Sequence, residues 1–199
     1  MKMSRKVHFA IEAMLILAVA ACASVAVTER RNSVEKDKTI LMLGDNPPEE
    51  ADVRYKFLEP KVSHYIEALC QELNFDSDLA VAVLMVENPK FDPNAINRNL
   101  NGSVDCGLFQ LNDRYVWTVF KDSYWIEEVE LDPFNWKHNC FIAIHHLAAL
   151  QKKLKVTDDA IMAYNCGAGA VMAGRVPYST TIYLAKVKNN LQLLNTSAK

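Results

Sequence analysis

Eight consecutive apolar residues, 79–86, constrain this chain more than any other feature. A run of that length is apolar all round, so whatever it forms lies buried at the centre of a packed domain. Asp76, Ser77 and Asp78 precede it with short acceptor side chains suited to a helix N-cap, and Glu87, Asn88 and Pro89 close it with a forced turn. Periodicity alone does not separate a buried helix from a buried strand here. In the helical case Glu87 stands at the C-terminal end, where the helix dipole disfavours a carboxylate. Apolar neighbours add a desolvation penalty, and both effects push its pKa upward.

The rest of the chain divides around that element. Lys2, Arg5 and Lys6 are followed by an apolar run, 13–21, and by small residues to 26, the pattern of an export signal over residues 1–27. Val19-Ala20-Ala21-Cys22 also reads as a bacterial lipobox, which would place a lipid anchor on Cys22. Residues 28–60 mix charges of both signs with the turn-forming stretch 45–50, and read as a linker apart from the apolar residues 40–43. A packed domain is expected over 61–194, with a tail at 195–199. The expected location is the cell envelope or periplasm, outside the cytoplasm.

Within the domain the spacing is helical. Val62, Tyr65, Ile66, Leu69, Cys70 and Leu73 form one apolar face, 136–154 reads as a helix, and 158–165 as another with Thr157 as its cap. The last helix is expected over 180–194, with Tyr183, Val187, Leu191 and Leu194 on one face. Residues 88–105 are rich in turn formers, and strand signals are sparse, so the fold class expected is mostly α with little β structure. A net charge of −2 implies no attraction to nucleic acid. His145 and His146 are adjacent, not spaced for a shared metal, and neither a phosphate loop nor a dinucleotide fingerprint is present, so no metal and no cofactor are expected. Trp117, Trp125 and Trp136 are candidates for a sugar cleft, with core packing the commoner role.

A Glu at a helix end is ordinarily a solvent-facing residue, but its company here is specific. Glu87 is followed by Phe91-Asp92-Pro93-Asn94-Ala95, by Asp105-Cys106-Gly107-Leu108-Phe109-Gln110-Leu111, by Ala163-Tyr164-Asn165-Cys166-Gly167, and by Pro177, Thr180, Tyr183, Leu184, Lys186 and Val187. This ordered series resembles the SLT (soluble lytic transglycosylase) domain family of lysozyme-like, peptidoglycan-cleaving enzymes, over roughly residues 61–194. The Asn-rich turn 96–105 is similar to that of the small specialised transglycosylases associated with bacterial secretion systems. The resemblance implies a lysozyme-like α domain with a catalytic cleft, working as a monomer on peptidoglycan glycan strands, in association with an envelope-spanning assembly. Glu87 matches the family's catalytic acid, a role that needs a carboxyl protonated near neutral pH. Gly107, Leu108, Gln110, Asn112, Tyr164 and Asn165 match cleft-bordering positions. The Tyr164 hydroxyl is expected near the catalytic carboxyl, and Gly167 at a tight helix exit.

The implied reaction uses one carboxyl. Glu87 protonates the leaving oxygen and then, as carboxylate, deprotonates the C6 hydroxyl of N-acetylmuramic acid, giving a 1,6-anhydro end without water. Departures from the family are Asn88 in place of its Ser, one extra residue before Phe91, Ser179 in place of a Glu, and cysteines at 106 and 166. A goose-type-lysozyme-like hydrolase is the first alternative; that family has Asp where Asn112 stands, and a neutral amide is a poor base for water. A catalytically inactive wall-binding protein is the second. For a two-carboxylate enzyme, Asp92, Asp105 and Asp113 are the candidate partners. Setting Cys22 aside, four cysteines remain, an even number that suits an exported domain. Related secretion-associated enzymes carry a Cys in each of the helical regions of Cys70 and Cys140. Disulfides Cys70–Cys140 and Cys106–Cys166 are therefore expected.

Overall fold

The computed structural model describes residue 41, residues 53–118 and residues 131–197. The expected export signal, most of the expected linker and Trp125 lie outside these residues. Helix α1 (Pro60–Leu73) begins with proline at its first position and ends at Asn74 in the left-handed conformation. Helix α2 (Ser77–Glu87) contains the apolar run, which settles the helix-or-strand ambiguity. Asp76 caps it by accepting from the backbone N–H groups of Asp78 and Leu79. Its residues 80–84 are completely buried, as an all-apolar helix requires.

The turn-rich stretch after α2 forms a small antiparallel sheet, in the order β1 (Ile96–Arg98), β2 (Val104–Cys106) and β3 (Leu111–Asn112). Its register sets Asp105 between Asn97 on one side and Asn112 on the other. A single π-helical turn, Asp113–Trp117, follows. Helix α3 (Trp136–Leu154) matches the expected range, and α4 (Thr157–Cys166) extends its expectation by a residue at each end. Thr157 is not the cap of α4: the residue before it, Val156, takes that position and no side chain bonds the helix start. A short helix α5 (Ala168–Met172) leads to α6 (Tyr178–Ser197), which runs through much of the expected tail.

The core is made by α1 and α2 against each other, by α1 against α3, and by α6 laid along α2 and α4. Ile66, Leu69, Phe141, Ile142, Ile144 and Val187 are essentially inaccessible to water, each such side chain contributing about 1.5–3 kcal/mol of burial. The packed region starts earlier than residue 61. Tyr55 and Leu58 are buried, and the Tyr55 hydroxyl bonds the Asp78 carboxylate at 2.8 Å while Arg54 pairs with its other oxygen at 2.6 Å. These contacts pin the chain before α1 to the start of α2. Burial pushes the Tyr55 hydroxyl well above its ordinary pKa, so it stays a donor.

The expected disulfides are absent: Cys70, Cys106, Cys140 and Cys166 are all free thiols. Cys70 and Cys140 face the same core from α1 and α3, and burial pushes both thiols above their ordinary range, which suits small apolar core residues. Cys106 is buried in β2, whereas Cys166 is half-exposed at the end of α4.

Candidate functional site

Helix α6 fixes the geometry at the end of α2. Asn190 on α6 donates to the carbonyl of Ala82 on α2, and two turns earlier on α6 the Tyr183 hydroxyl donates to Glu87 Oε1 at 2.6 Å. Glu87 is therefore the last residue of a largely buried helix, held by a tyrosine from a neighbouring one. Its pKa is raised from 4.5 to about 7. Burial is the largest cause, the Tyr183 hydrogen bond opposes it, and the negative charge of Asp105 adds to it. Burial, with the Glu87 charge and hydrogen bond adding to it, keeps the Tyr183 hydroxyl protonated, far above its ordinary pKa.

Glu87 opens into a cleft of about 1040 Å³. One wall comes from the sheet and its β1–β2 turn, with Asn97, Asn99, Asp105 and Asn112, and the other from α3 and α4, with His146, Tyr164, Asn165 and Cys166. Asp105 sits in a cradle of amides: Asn99 and Asn112 donate to its two oxygens at 2.9 and 2.7 Å, and Asn97 adds a longer contact of 3.4 Å. Of the candidate second carboxylates it alone lines the cleft. The Asp113 carboxylate accepts the Val104 N–H, and that of Asp92 the Asn94 N–H. Burial lowers the His146 pKa to about 4, so this cleft-lining imidazole is neutral. Leu100 and Tyr115 stand exposed at the cleft margin.

The residues carried over from the family resemblance separate into two groups. Gln110, Asn112, Tyr164 and Asn165 line the cleft together with Glu87. Asn165 also accepts from the buried Thr180 hydroxyl at 2.7 Å, which ties α4 to α6. Leu108 does not face the cleft: it is a core residue, 2% exposed. Gly107 has positive φ, but the close approach it permits is to protein. A Cβ there would meet the Asn139 side chain at 2.3 Å and the Pro133 carbonyl at 2.5 Å. Gly167, with φ +85°, provides the expected exit from α4.

Tyr164 and Asn88 each take a specific partner. The Tyr164 hydroxyl lies close enough to Glu87 to feel its charge, as expected, but it donates to the Phe109 carbonyl at 3.0 Å, and the tyrosine that hydrogen-bonds Glu87 is Tyr183. The sequence signal for Tyr183 was its place on the apolar face of the last helix, because a buried tyrosine hydroxyl needs a partner. Asn88 does not present its amide to the cleft. It is buried and binds the Asp92 carbonyl and, more weakly, the Gly107 carbonyl, so it braces the loop that follows Glu87. Trp136 packs edge-on against Tyr65, away from the cleft, and Trp117 belongs to the π-helical turn.

Chemically, the site offers one protonatable carboxyl of near-neutral pKa in an amide-walled groove. No curated protein matches the chain. The transglycosylase SLT domain family matches residues 64–176, a stretch that contains Glu87, the sheet and Tyr164 and stops short of Tyr183. The match covers more than half of the 199 residues, and the chain belongs to the transglycosylase SLT domain family.

Proposed function

We propose that this protein is a peptidoglycan lytic transglycosylase that cleaves the β-1,4 bond between N-acetylmuramic acid and N-acetylglucosamine, with Glu87 as acid and then base. The observation that carries the reading is the Glu87 carboxyl, raised to about 7 at the inner end of the cleft and bonded by Tyr183. With Oε1 accepting from Tyr183, the acid proton sits on Oε2. That proton passes to the glycosidic oxygen as its bond to C1 breaks, and the leaving sugar departs with a free hydroxyl. Glu87, now a carboxylate, takes the proton of the C6 hydroxyl while O6 bonds to C1. The product carries a 1,6-anhydro end, Glu87 is protonated again, and no water is consumed. The walls, lined by the amides of Asn97, Asn99, Gln110, Asn112 and Asn165, suit a neutral, N-acetylated glycan.

A second reading, hydrolysis of the same bond, draws on Asp105, whose charge reaches Glu87 from the same cleft. Its oxygens already accept amide N–H groups from Asn97, Asn99 and Asn112, which occupy directions a water would need. That crowding favours the transglycosylase. The export signal read in residues 1–27 agrees with a substrate outside the cytoplasm, with Cys22 as the point of lipid attachment, and the Asn-rich turn agrees with service to a secretion assembly. Mass analysis of fragments released from purified peptidoglycan by the full chain is the test. Anhydro ends, lighter than reducing ends by one water, are expected, and release should stop in Glu87→Gln. Reducing ends would select hydrolysis, and undiminished release by Glu87→Gln would remove Glu87 from the mechanism.

A further inference from the structure

Phe109 is completely buried, and the backbone on both sides of it is held by side chains from different helices. Its N–H donates to Asn139 Oδ1 on α3 at 2.8 Å, and its carbonyl accepts from the Tyr164 hydroxyl on α4 at 3.0 Å. Asn139 uses its two N–H donors as well, on the carbonyls of Cys106 and Pro133, both at 2.9 Å. The next residue, Gln110, lines the cleft with φ +48°, a left-handed conformation that residues bearing a Cβ seldom adopt. Its side-chain amide folds back onto the Gly107 carbonyl at 2.8 Å and the Ala95 carbonyl at 3.3 Å.

These facts concern one rigid unit. The carbonyl of Phe109 and the N–H of Gln110 belong to the same planar peptide group, and the torsion on its far side is the left-handed φ of Gln110. Whatever fixes the orientation of that plane therefore fixes Gln110. Without the Tyr164 hydroxyl the partly buried Phe109 carbonyl would lack this donor, and only the long Gln110 N–H bond to the Gly107 carbonyl, 3.3 Å, would oppose a rotation of the plane that also relieves the left-handed torsion.

We infer that Tyr164 is a positioning residue: with Asn139 it clamps the peptide groups on both sides of Phe109, and so holds Gln110 as the fixed wall of the cleft. The inference rests on the function proposed above only in what the wall is for. Tyr164 does not act by touching Glu87, a contact that Tyr183 makes. Its ring also packs against Leu150, Ala160 and Ala163 and lies 5.7 Å from the His146 ring, so Tyr164→Phe keeps the packing and removes the hydroxyl alone.

The test compares the full chain with Tyr164→Phe, Gln110→Gly and the double variant, by hydrogen exchange over residues 106–112 and by kcat/KM on purified glycan strands. Tyr164→Phe should speed exchange in this segment and lower kcat/KM, each by about tenfold, with the pH limb of the rate unmoved. Glycine holds a positive φ without strain. Adding Tyr164→Phe to Gln110→Gly should therefore change either readout by less than about threefold, the mark of coupled residues. Unaltered exchange in Tyr164→Phe would overturn the clamp. An equal loss in both backgrounds would also overturn it, as would a displaced pH limb, which would mean that the hydroxyl acts on Glu87. Exchange needs no turnover, so it judges the clamp even if the chain proves to have no activity on glycan strands.

Discussion

Removing the Tyr183 hydroxyl gives the sharpest test of how the site is tuned. The hydroxyl donates to Glu87 Oε1 at 2.6 Å, and it favours the carboxylate over the acid because an anion accepts more strongly than a neutral carboxyl. It therefore lowers the Glu87 pKa against the larger upward effect of burial. A hydrogen bond to a charged group is worth about 1.5–3 kcal/mol, and one pKa unit corresponds to about 1.4 kcal/mol. Tyr183→Phe keeps the ring and should raise the Glu87 pKa by about one to two units above its value of about 7. In the proposed reaction the free enzyme must carry a protonated Glu87, so kcat/KM falls as pH rises through that pKa. The measurement is kcat/KM for release of glycan fragments at closely spaced pH values from 5 to 10, about, in both proteins. The alkaline limb should lie near neutrality in the wild type and move to higher pH in the variant. A limb that stays in place, or moves to lower pH, would refute the assignment of that limb to Glu87 or of the opposing influence to Tyr183.

Further outcomes follow from the same geometry. Asp105→Asn removes a negative charge that raises the Glu87 pKa, so the alkaline limb should move to lower pH, by less than Tyr183→Phe moves it upward because Asp105 is the weaker influence. Glu87→Gln should stabilise the protein at pH 8: the folded carboxyl titrates near 7 and the unfolded one near 4.5, so stability is lost as pH rises between those values, by about 3 kcal/mol. Urea unfolding at pH 4 and pH 8 measures that difference, which should largely vanish in the variant. Gly107→Ala should cost about 3 kcal/mol or more in the same assay, since its Cβ would strike Asn139 and Pro133 at a left-handed φ. Asp78→Ala should cost about 2–3 kcal/mol, because it strips the buried Tyr55 hydroxyl and Arg54 of their shared acceptor.

What the sequence made legible was the helical framework, for a physical reason. The faces of α1 and α3 repeat apolar residues at helical spacing because they must be buried, and that need is written locally. The sheet was not legible. Its strands are two or three residues long, β1 is exposed throughout, and β2 and β3 bury only Cys106 and Leu111. Glu87 could be found because its helix end, its apolar neighbours and the motif series all lie nearby in the chain. Its partner could not, since Tyr183 is 96 residues away and becomes a partner only through the packing of α6 on α2. Leu108 and Gly107 were expected at the cleft because motif positions do not reveal which way a tight turn points its side chains. The cysteine pairs failed differently: an even number suits bridging, but burial of Cys70 and Cys140 is served equally well by two thiols.

The balance at Glu87 bears on which reaction the cleft can perform. A carboxyl that must first give a proton and then take one is poorly served by an extreme pKa in either direction. At 4.5 it would rarely be protonated near neutral pH, and far above neutrality it would be a reluctant acid toward a glycosidic oxygen. Burial supplies the rise, and Tyr183 limits it without introducing a charge that would repel the cation-like sugar of the transition state. Asp105 contributes differently. Its negative charge raises the Glu87 pKa and faces the same cleft, where it also favours positive charge developing on the sugar ring. Both its oxygens accept amide N–H groups from Asn97, Asn99 and Asn112, so its influence on the cleft is that of a held charge. That division gives Glu87, raised to about 7, the proton-carrying part in the proposed reaction, whose nucleophile, the C6 hydroxyl, arrives as part of the substrate.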